Sequence, residues 1–167
     1  MTPPPAFVRV VDTGLASGGH NAATDRAWLE LRAAGRGGDV LRFHLSQPTA
    51  SIGLHQALDR ELRIDYCRRQ GIEVVRRASS GGALYLDPGQ LGFSLIVRRP
   101  AAWRDFALPQ MLERGSAAVA AGLRQLGIAA ATKSPNDVEV GGRKIASVFV
   151  AQRGDAEHDL CLRKNVC

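Results

Sequence analysis

Residues 73–91 of the chain read EVVRRASSGGALYLDPGQL. A β-rich run ends at Arg76 and Arg77, and the pair Gly81-Gly82 then leads into a second β-rich run. Glycine lets the backbone approach a ligand closely, and successive free N–H groups can face an anion. Either arginine would add a fork of donors that suits a phosphate or a carboxylate. A plain glycine hairpin with exposed arginines fits the same composition, and the stretch matches neither a P-loop nor the GxGxxG fingerprint.

A second stretch, residues 133–147, reads KSPNDVEVGGRKIAS. Asn136 and Asp137 form a natural turn opener, and the later glycine pair predicts a tight hairpin that places Lys144 near the start of a strand. A lysine there can project its charge into a cleft and offset charge that develops on a carbonyl or a phosphate. The alternative is a solvated lysine beside a surface turn.

The spacing of apolar residues around these two stretches predicts an α+β fold. Helices are predicted at 21–34, with Asn21 as the N-cap, at 64–69 and at 108–126. Strands are predicted at 7–11, 40–45, 50–54, 72–76, 83–86, 93–97, 128–132, 138–140 and 145–150. Residues 152–158 are polar, and no strand pattern follows them. Because several strands precede the long third helix and more follow it, the order is not that of a parallel βαβ sheet.

The composition predicts a single cytoplasmic domain over residues 1–167. Lys and Arg total 22 against 16 Asp and Glu, which gives a net charge of +6. Aromatic residues make up only 5%, too few for an obvious base-stacking platform, so nucleic acid is not an expected partner. No apolar run approaches the roughly 20 residues of a membrane span, and the start of the chain lacks a signal-peptide pattern. The four histidines show no metal-ligand spacing, and no protein metal site is predicted.

The three cysteines, Cys67, Cys161 and Cys167, form no CxxC pair. An odd number of unpaired cysteines suits reduced thiols better than a disulfide framework. Cys161 and Cys167 are interpreted as thiols of the chain's tail.

The two stretches in this order resemble the biotin/lipoate A/B protein ligase family. RRASSGGALYLD, residues 76–87, is similar to the arginine- and glycine-rich loop of lipoate–protein ligases, and PND with GRKI, residues 135–137 and 142–145, is similar to the family's second motif. TASIGLHQ, residues 49–56, resembles the strand and turn that precede the loop. Biotin ligases share the second motif, so the first motif places the resemblance closest to lipoate–protein ligases. PGQL, residues 88–91, is faintly similar to octanoyltransferases.

The resemblance implies a mixed, largely antiparallel sheet flanked by helices, as in class II synthetases and biotin–protein ligases. It also implies an enzyme that uses ATP and Mg²⁺ to convert lipoate or octanoate to an acyl-adenylate. The acyl group then passes to a lysine of a lipoyl-carrier domain or a glycine-cleavage-H-like protein.

The resemblance assigns the catalytic role to Lys144, which would bridge the carbonyl and the phosphate of the acyl-adenylate. Asn136 and Asp137 match a turn that holds metal or adenine, and Arg77 matches an arginine that contacts the phosphate or the acyl carboxylate. The residues matched to substrate and nucleotide binding are Arg77, Ser79, Gly81, Gly82, Ala83, Leu84, Tyr85, Asn136 and Asp137.

Some positions depart from the family pattern. Ser80 stands where the loop usually carries glycine, and Val148-Phe149 add bulk where the family has small residues. The family's catalytic domain also continues well beyond its lysine, so the resemblance predicts a domain truncated at the C-terminus and a second subunit that completes the ligase. Two alternatives stay open: an octanoyl or lipoyl transferase with a cysteine nucleophile, and a non-catalytic truncated relative that binds acyl groups.

Overall fold

The computed structural model describes residues 7–99, 103, 105–153 and, for the backbone, 160–166. These residues form four helices and ten strands. The elements are β1 (Val8–Ala16), α1 (Gly18–Ala33), β2 (Asp39–Ser46), β3 (Thr49–Ile52), α2 (Leu58–Glu61), α3 (Ile64–Arg69), β4 (Glu73–Arg76), β5 (Leu84–Leu86), β6 (Leu91–Val97), α4 (Leu108–Gln125), β7 (Ala131–Lys133), β8 (Asp137–Val140), β9 (Arg143–Gln152) and β10 (Leu160–Val166).

The strands form a large and a small sheet. The large sheet has seven strands in the order β1-β2-β6-β10-β9-β8-β7, and the small sheet has three in the order β4-β3-β5. In the large sheet only β1 and β2 run parallel to each other. In the small sheet β3 is parallel to β4 and antiparallel to β5. The predicted α+β fold with a mixed, largely antiparallel sheet is confirmed.

Helices α1 and α4 cover opposite faces of the large sheet. This follows from the contacts of β9, in which residues an odd number of positions apart point to opposite sides. Val148 of β9 packs against Met111 of α4. Ala151 of the same strand packs against Leu29 of α1. We refer to these sides as the α4 face and the α1 face. The α1 face is the one that carries the candidate site.

A buried charge network holds α1 against the large sheet. Arg42 is fully buried, and its Nη1 donates to Asp25 Oδ1 at 2.8 Å. Its Nε donates to Thr13 Oγ1 at 2.9 Å, and its other donors reach the backbone and side-chain oxygens of Asn21. The Ser94 hydroxyl donates to the second Asp25 oxygen at 2.7 Å. This pairing offsets the cost of burying both charges and fixes α1 relative to β2 and β6.

The predicted start of the first helix is wrong. The N-cap is Ser17, whose hydroxyl accepts from the backbone N–H of His20 at 3.1 Å, and Asn21 lies inside the helix. Gly18 is required there, because a Cβ atom would collide with the Thr49 side chain. The close approach of β3 therefore requires glycine in the first turn of α1. Helix propensity alone would favour other residues at this position.

The strand β10 was not predicted, and the expectation of no strand after residue 158 is wrong. The β10 backbone lies between β6 and β9 and pairs with both. Its sequence, LCLRKNV, lacks apolar alternation, so its conformation follows from the two neighbours that it bonds. Cys161 lies on this strand, opposite Ala151, and not in a tail, whereas Cys167 lies outside the described residues.

The α4 face keeps an uncovered apolar groove of about 440 Å³ between α4 and strands β2 and β6. Phe43, Phe93 and Leu123 are among the residues that line it. Neither α4 nor any other helix in the described ranges is long and apolar enough to cross a membrane.

Candidate functional site

The glycine loop, residues 77–83, connects β4 to β5 and is anchored on the end of β3. The N–H of Arg77 donates to the Ile52 carbonyl, and the N–H of Leu54 donates to the Ser79 carbonyl, both at 3.0 Å. Gly53 lies directly against the carbonyl of Gly81, where a Cβ atom would clash with backbone. The glycine at position 53 is therefore required for the loop to close over β3.

The Arg77 side chain lies beneath this loop and is only 1% exposed. Its Nη2 donates to the carbonyls of Ser80 at 2.9 Å and Gly82 at 2.8 Å. Its Nη1 donates to the Ser51 carbonyl at 2.9 Å, and its Nε donates to the Ser79 hydroxyl at 3.2 Å. Because these bonds satisfy loop oxygens, the guanidinium shapes the loop. Its predicted contact with a phosphate or carboxylate stays a prediction.

Phe149 of β9 supports the loop from the large sheet. The Arg77 guanidinium lies 4.7 Å from the centre of the Phe149 ring, a cation–π contact. Gly81 has φ of +99°, and a Cβ there would come within 2.8 Å of the same ring. Only glycine suits this position on both grounds. The ring therefore joins the glycine loop to the strand that begins near Lys144.

A β-bulge shapes the start of β9. Val138 pairs with Ala146 and Glu139 pairs with Lys144, so Ile145 is an extra residue in β9. A bulge changes the alternation of side chains, so residues three apart can face the same side. Lys144 and Ser147, three residues apart, lie on the same side, since both contact Asp137.

Lys144 is paired with Asp137 across the hairpin. Its Nζ lies 2.8 Å from Asp137 Oδ1, and the Ser147 hydroxyl donates to the same oxygen at 2.9 Å. The lysine side chain is 53% exposed, so its charge is accessible to a ligand. Ser147 and Phe149 are two residues apart on a regular stretch of β9 and share the α1 face. Lys144 and the glycine loop therefore lie on the same face of the large sheet.

Asn136 holds the turn before β8 against β9. Its side-chain amide donates to the Val148 carbonyl at 3.2 Å, and its own carbonyl accepts from the Val148 N–H at 2.7 Å. The predicted turn is present, and the Asn136 side chain is hydrogen-bonded to the backbone of β9.

The remaining predicted binding residues divide between two places. Ser79 is buried beneath the loop, whereas Gly82 and Ala83 are exposed. The Ala83 N–H donates to a carboxylate oxygen of Glu61 at 3.3 Å, so a loop amide already binds an anion. Ala83, Leu84 and Tyr85 line a cavity of about 350 Å³ at the end of the loop, which residues of α2 and α3 also line.

Sequence reasoning did not assign site roles to Gly53 or Ser147, or to the Arg42–Asp25 pair. The glycine of the TASIGLHQ segment was a visible signal for Gly53. The Ser147–Asp137 and Arg42–Asp25 contacts join residues 10 and 17 positions apart, on different elements. No signal in the local sequence identifies them.

The fold and the site define an α+β domain that presents a glycine loop and an exposed lysine on one sheet face. A model of the lipoyl protein ligase A/B catalytic domain matches residues 17–158. The chain therefore belongs to this family, which confirms the resemblance seen in its motifs.

Curated relatives of the chain include ligases and a transferase. The chain is 37% identical over 107 residues to the lipoate-protein ligase LplJ of Bacillus subtilis, covering 64% of this chain and 30% of that protein. It is 31% identical over 114 residues to the lipoate-protein ligase A subunit 1 of Thermoplasma acidophilum, covering 68% and 42%. It is 32% identical over 120 residues to the octanoyltransferase LipM of Moorella thermoacetica, covering 71% and 44%. The chain thus spans less than half the length of these relatives.

Solved structures show the same fold. The T. acidophilum protein Ta0514, solved with bound lipoic acid, superposes with a TM-score of 0.80 at 25% identity, covering 95% of this chain and 67% of that one. A lipoate-protein ligase A bound with ATP superposes with a TM-score of 0.76 at 23% identity, covering 95% and 65%.

Proposed function

We propose that the chain forms the catalytic part of a lipoate–protein ligase. In this proposal lipoate or octanoate reacts with ATP to give an acyl-adenylate and pyrophosphate. A lysine of a lipoyl-carrier domain or a glycine-cleavage-H-like protein then attacks the acyl carbonyl, and AMP leaves. The observation that carries the proposal is the placement of Lys144 and the glycine loop on one sheet face.

The chemistry of the two elements suits a mixed anhydride of a carboxylate and a phosphate. Lys144 offers an accessible ammonium group that can offset charge on the phosphate and polarise the neighbouring carbonyl. Asp137 and Ser147 hold that ammonium near the α1 face. The Ala83 amide of the loop donates to the Glu61 carboxylate, and this bond supports the proposal that the loop binds an anion. No nucleophilic side chain is needed, since the carrier lysine attacks.

Mg²⁺ would enter with the nucleotide. This cation prefers carboxylate and phosphate oxygens. Asp137 is the nearest acidic group to Lys144 in the site, and its Oδ1 already has two partners. Within the described ranges, no three acidic, histidine or cysteine side chains cluster to hold a metal. The nucleotide phosphates would therefore supply most of the ligands, with Asp137 as a candidate protein ligand.

A second polypeptide would complete the ligase. The chain covers 42% of a relative that is itself named as one subunit of a ligase. We therefore propose that the full reaction needs a second polypeptide in addition to this chain.

An octanoyltransferase is the alternative, which the similarity to LipM supports. Such an enzyme would need a thiol near the lysine. Cys67, whose side chain the structure describes, is buried beside α3 at the cavity that Ala83 and Leu84 also line, and no contact places it beside Lys144 among the described residues. Cys161 is the other candidate, from its position opposite Ala151 on β10.

The experiment that tests the proposal follows the mass of a lipoyl-carrier domain. The chain, with its candidate partner polypeptide, is incubated with lipoate, ATP and Mg²⁺, and a mass increase of one lipoyl group supports the ligase. Transfer from octanoyl-acyl-carrier protein without ATP, lost in Cys161→Ser, would instead establish the transferase.

A further inference from the structure

Three residues of β9 follow one another along the α1 face. Ser147 lies at the Lys144 end, Phe149 comes next, and Ala151 lies furthest from the lysine. At about 3.3 Å per residue, Ser147 and Phe149 are roughly 7 Å apart and Ser147 and Ala151 roughly 13 Å apart. Phe149 therefore lies on the straight path along β9 from Ser147 to Ala151.

A cavity lies at the far end of this row. It has a volume of about 120 Å³, with an apolar part formed by Leu29, Leu54, Ala78 and Ala151 and a polar part formed by exposed side chains, those of Arg26, Glu30, Gln152 and Arg153. Leu29 and Ala151 belong to the same buried cluster, against which Ala78 also packs. The apolar part of the cavity, at Leu29, Ala78 and Ala151, suits the apolar tail of a ligand whose polar head lies near Lys144.

The Phe149 ring stands between the lysine and this cavity. The Arg77 guanidinium covers it at 4.7 Å, and Gly81 packs against its edge. Only 9% of the residue is exposed. A chain laid along β9 from Lys144 must displace the ring before it can enter the cavity.

We infer that Phe149 is a specificity-determining residue that limits the length of the acyl chain bound at this site. The inference rests on the proposed function, since it places the carboxylate end of the ligand near Lys144. A four-carbon chain is shorter than the spacing from Ser147 to Phe149 and leaves the ring in place. An eight-carbon chain exceeds that spacing, so its binding requires the ring to turn and the loop to lift.

The test compares butanoate and octanoate as probes. Their affinities are measured by calorimetry for the unmodified chain and for Phe149→Ala and Phe149→Leu. The ratio of octanoate to butanoate affinity is expected to rise at least tenfold in Phe149→Ala and by a smaller factor in Phe149→Leu. The matched control is Phe93→Leu, which shortens an aromatic residue on the α4 face and leaves the ratio unchanged. Circular dichroism checks that each variant is folded, and Phe149→Leu carries the test where Phe149→Ala is unfolded.

Hydrogen exchange supplies a second readout that needs no ligand. Since the ring supports Arg77 and Gly81, the amides of residues 79–83 are expected to exchange faster in Phe149→Leu than in the unmodified chain. An affinity ratio that is unchanged in folded Phe149→Leu would overturn the inference, whatever the exchange rates are, while leaving the proposed function intact. If neither acid binds the unmodified chain even with its candidate partner polypeptide present, the proposed function fails, and the inference fails with it.

Discussion

Replacement of Arg77 by lysine tests the glycine loop most specifically. The guanidinium spans four acceptors, two of which, the Ser51 carbonyl and the Ser79 hydroxyl, are buried beneath the loop. A lysine keeps the charge but has one nitrogen, which cannot reach all the acceptors that the three guanidinium nitrogens contact. Hydrogen bonds from a charged group contribute about 1.5–3 kcal/mol each. A net loss of one to two such bonds predicts that Arg77→Lys lowers the free energy of unfolding by about 3 kcal/mol.

The neighbouring arginine provides the matched control. Arg76 makes its three bonds, to the carbonyls of Gly53, Leu54 and Gln56, from a single nitrogen at the exposed end of β4. A lysine ammonium carries three donors on one nitrogen and can reproduce that pattern. Arg76→Lys is therefore expected to cost less than about 1 kcal/mol.

Urea denaturation followed by circular dichroism measures both variants. In a domain of this size, the Arg77→Lys loss corresponds to a fall in melting temperature of roughly 6–12 °C. If Arg77→Lys and Arg76→Lys cost the same within about 0.5 kcal/mol, the account of Arg77 as the support of the loop is refuted.

Four further substitutions test the contacts of Lys144, the glycine loop and Arg42. Lys144→Ala is expected to abolish acyl-adenylate formation, as measured by exchange of labelled pyrophosphate into ATP. It is expected to lower the free energy of unfolding by at most about 1 kcal/mol in thermal melts, because its ion pair is half exposed. Gly81→Ala is expected to lower the free energy of unfolding by about 1–3 kcal/mol, since φ is +99° there. Gly82→Ala, with open space around it, is expected to change it by less than about 1 kcal/mol in the same urea titration. Arg42→Met leaves the Asp25 carboxylate buried without its charge partner and is expected to cost about 3–5 kcal/mol.

Each of these expectations has a clear contrary result. Adenylate formation at the unmodified rate in Lys144→Ala would remove that lysine from the reaction. Equal stability of the two glycine variants would show that the loop tolerates a side chain at either position. An Arg42→Met protein as stable as the unmodified chain would show that the buried pair does not hold α1 in place.

The parts of the fold that local sequence dictates were predicted well. The helix at 64–69 matches the structure at both ends, and the long helix begins at 108 as expected. The pair Gly141-Gly142 forms the predicted hairpin turn, with φ of +55° and +75°. Such features depend on a few adjacent residues, so their sequence signals are strong.

The parts that depend on distant segments were not predictable from pattern. Strand β10 takes its conformation from β6 and β9, which lie on either side of it. The bulge at Ile145, which lets Lys144 and Ser147 share an aspartate, depends on the register with β8. A one-residue change in register alters which side chains share a face, and sequence spacing alone does not fix it.

The predicted site illustrates the same division. The two motifs, through their resemblance to the family, singled out the glycine loop and Lys144 as candidates, and the roles of both stay predictions. The contact that joins them, Arg77 and Gly81 on the Phe149 ring, needs the small sheet to pack on the large one. Comparison with the family pattern noted the bulk at Phe149 but could not place the ring against Arg77 and Gly81.

Lipoate-dependent exchange of labelled pyrophosphate into ATP tests the central claim most directly, since it reports acyl-adenylate formation without a carrier protein. The account predicts exchange that requires both lipoate and Mg²⁺, with the chain and its candidate partner polypeptide present, and that is lost in Lys144→Ala. Exchange absent under all of these conditions, or equal exchange in Lys144→Ala, would contradict it.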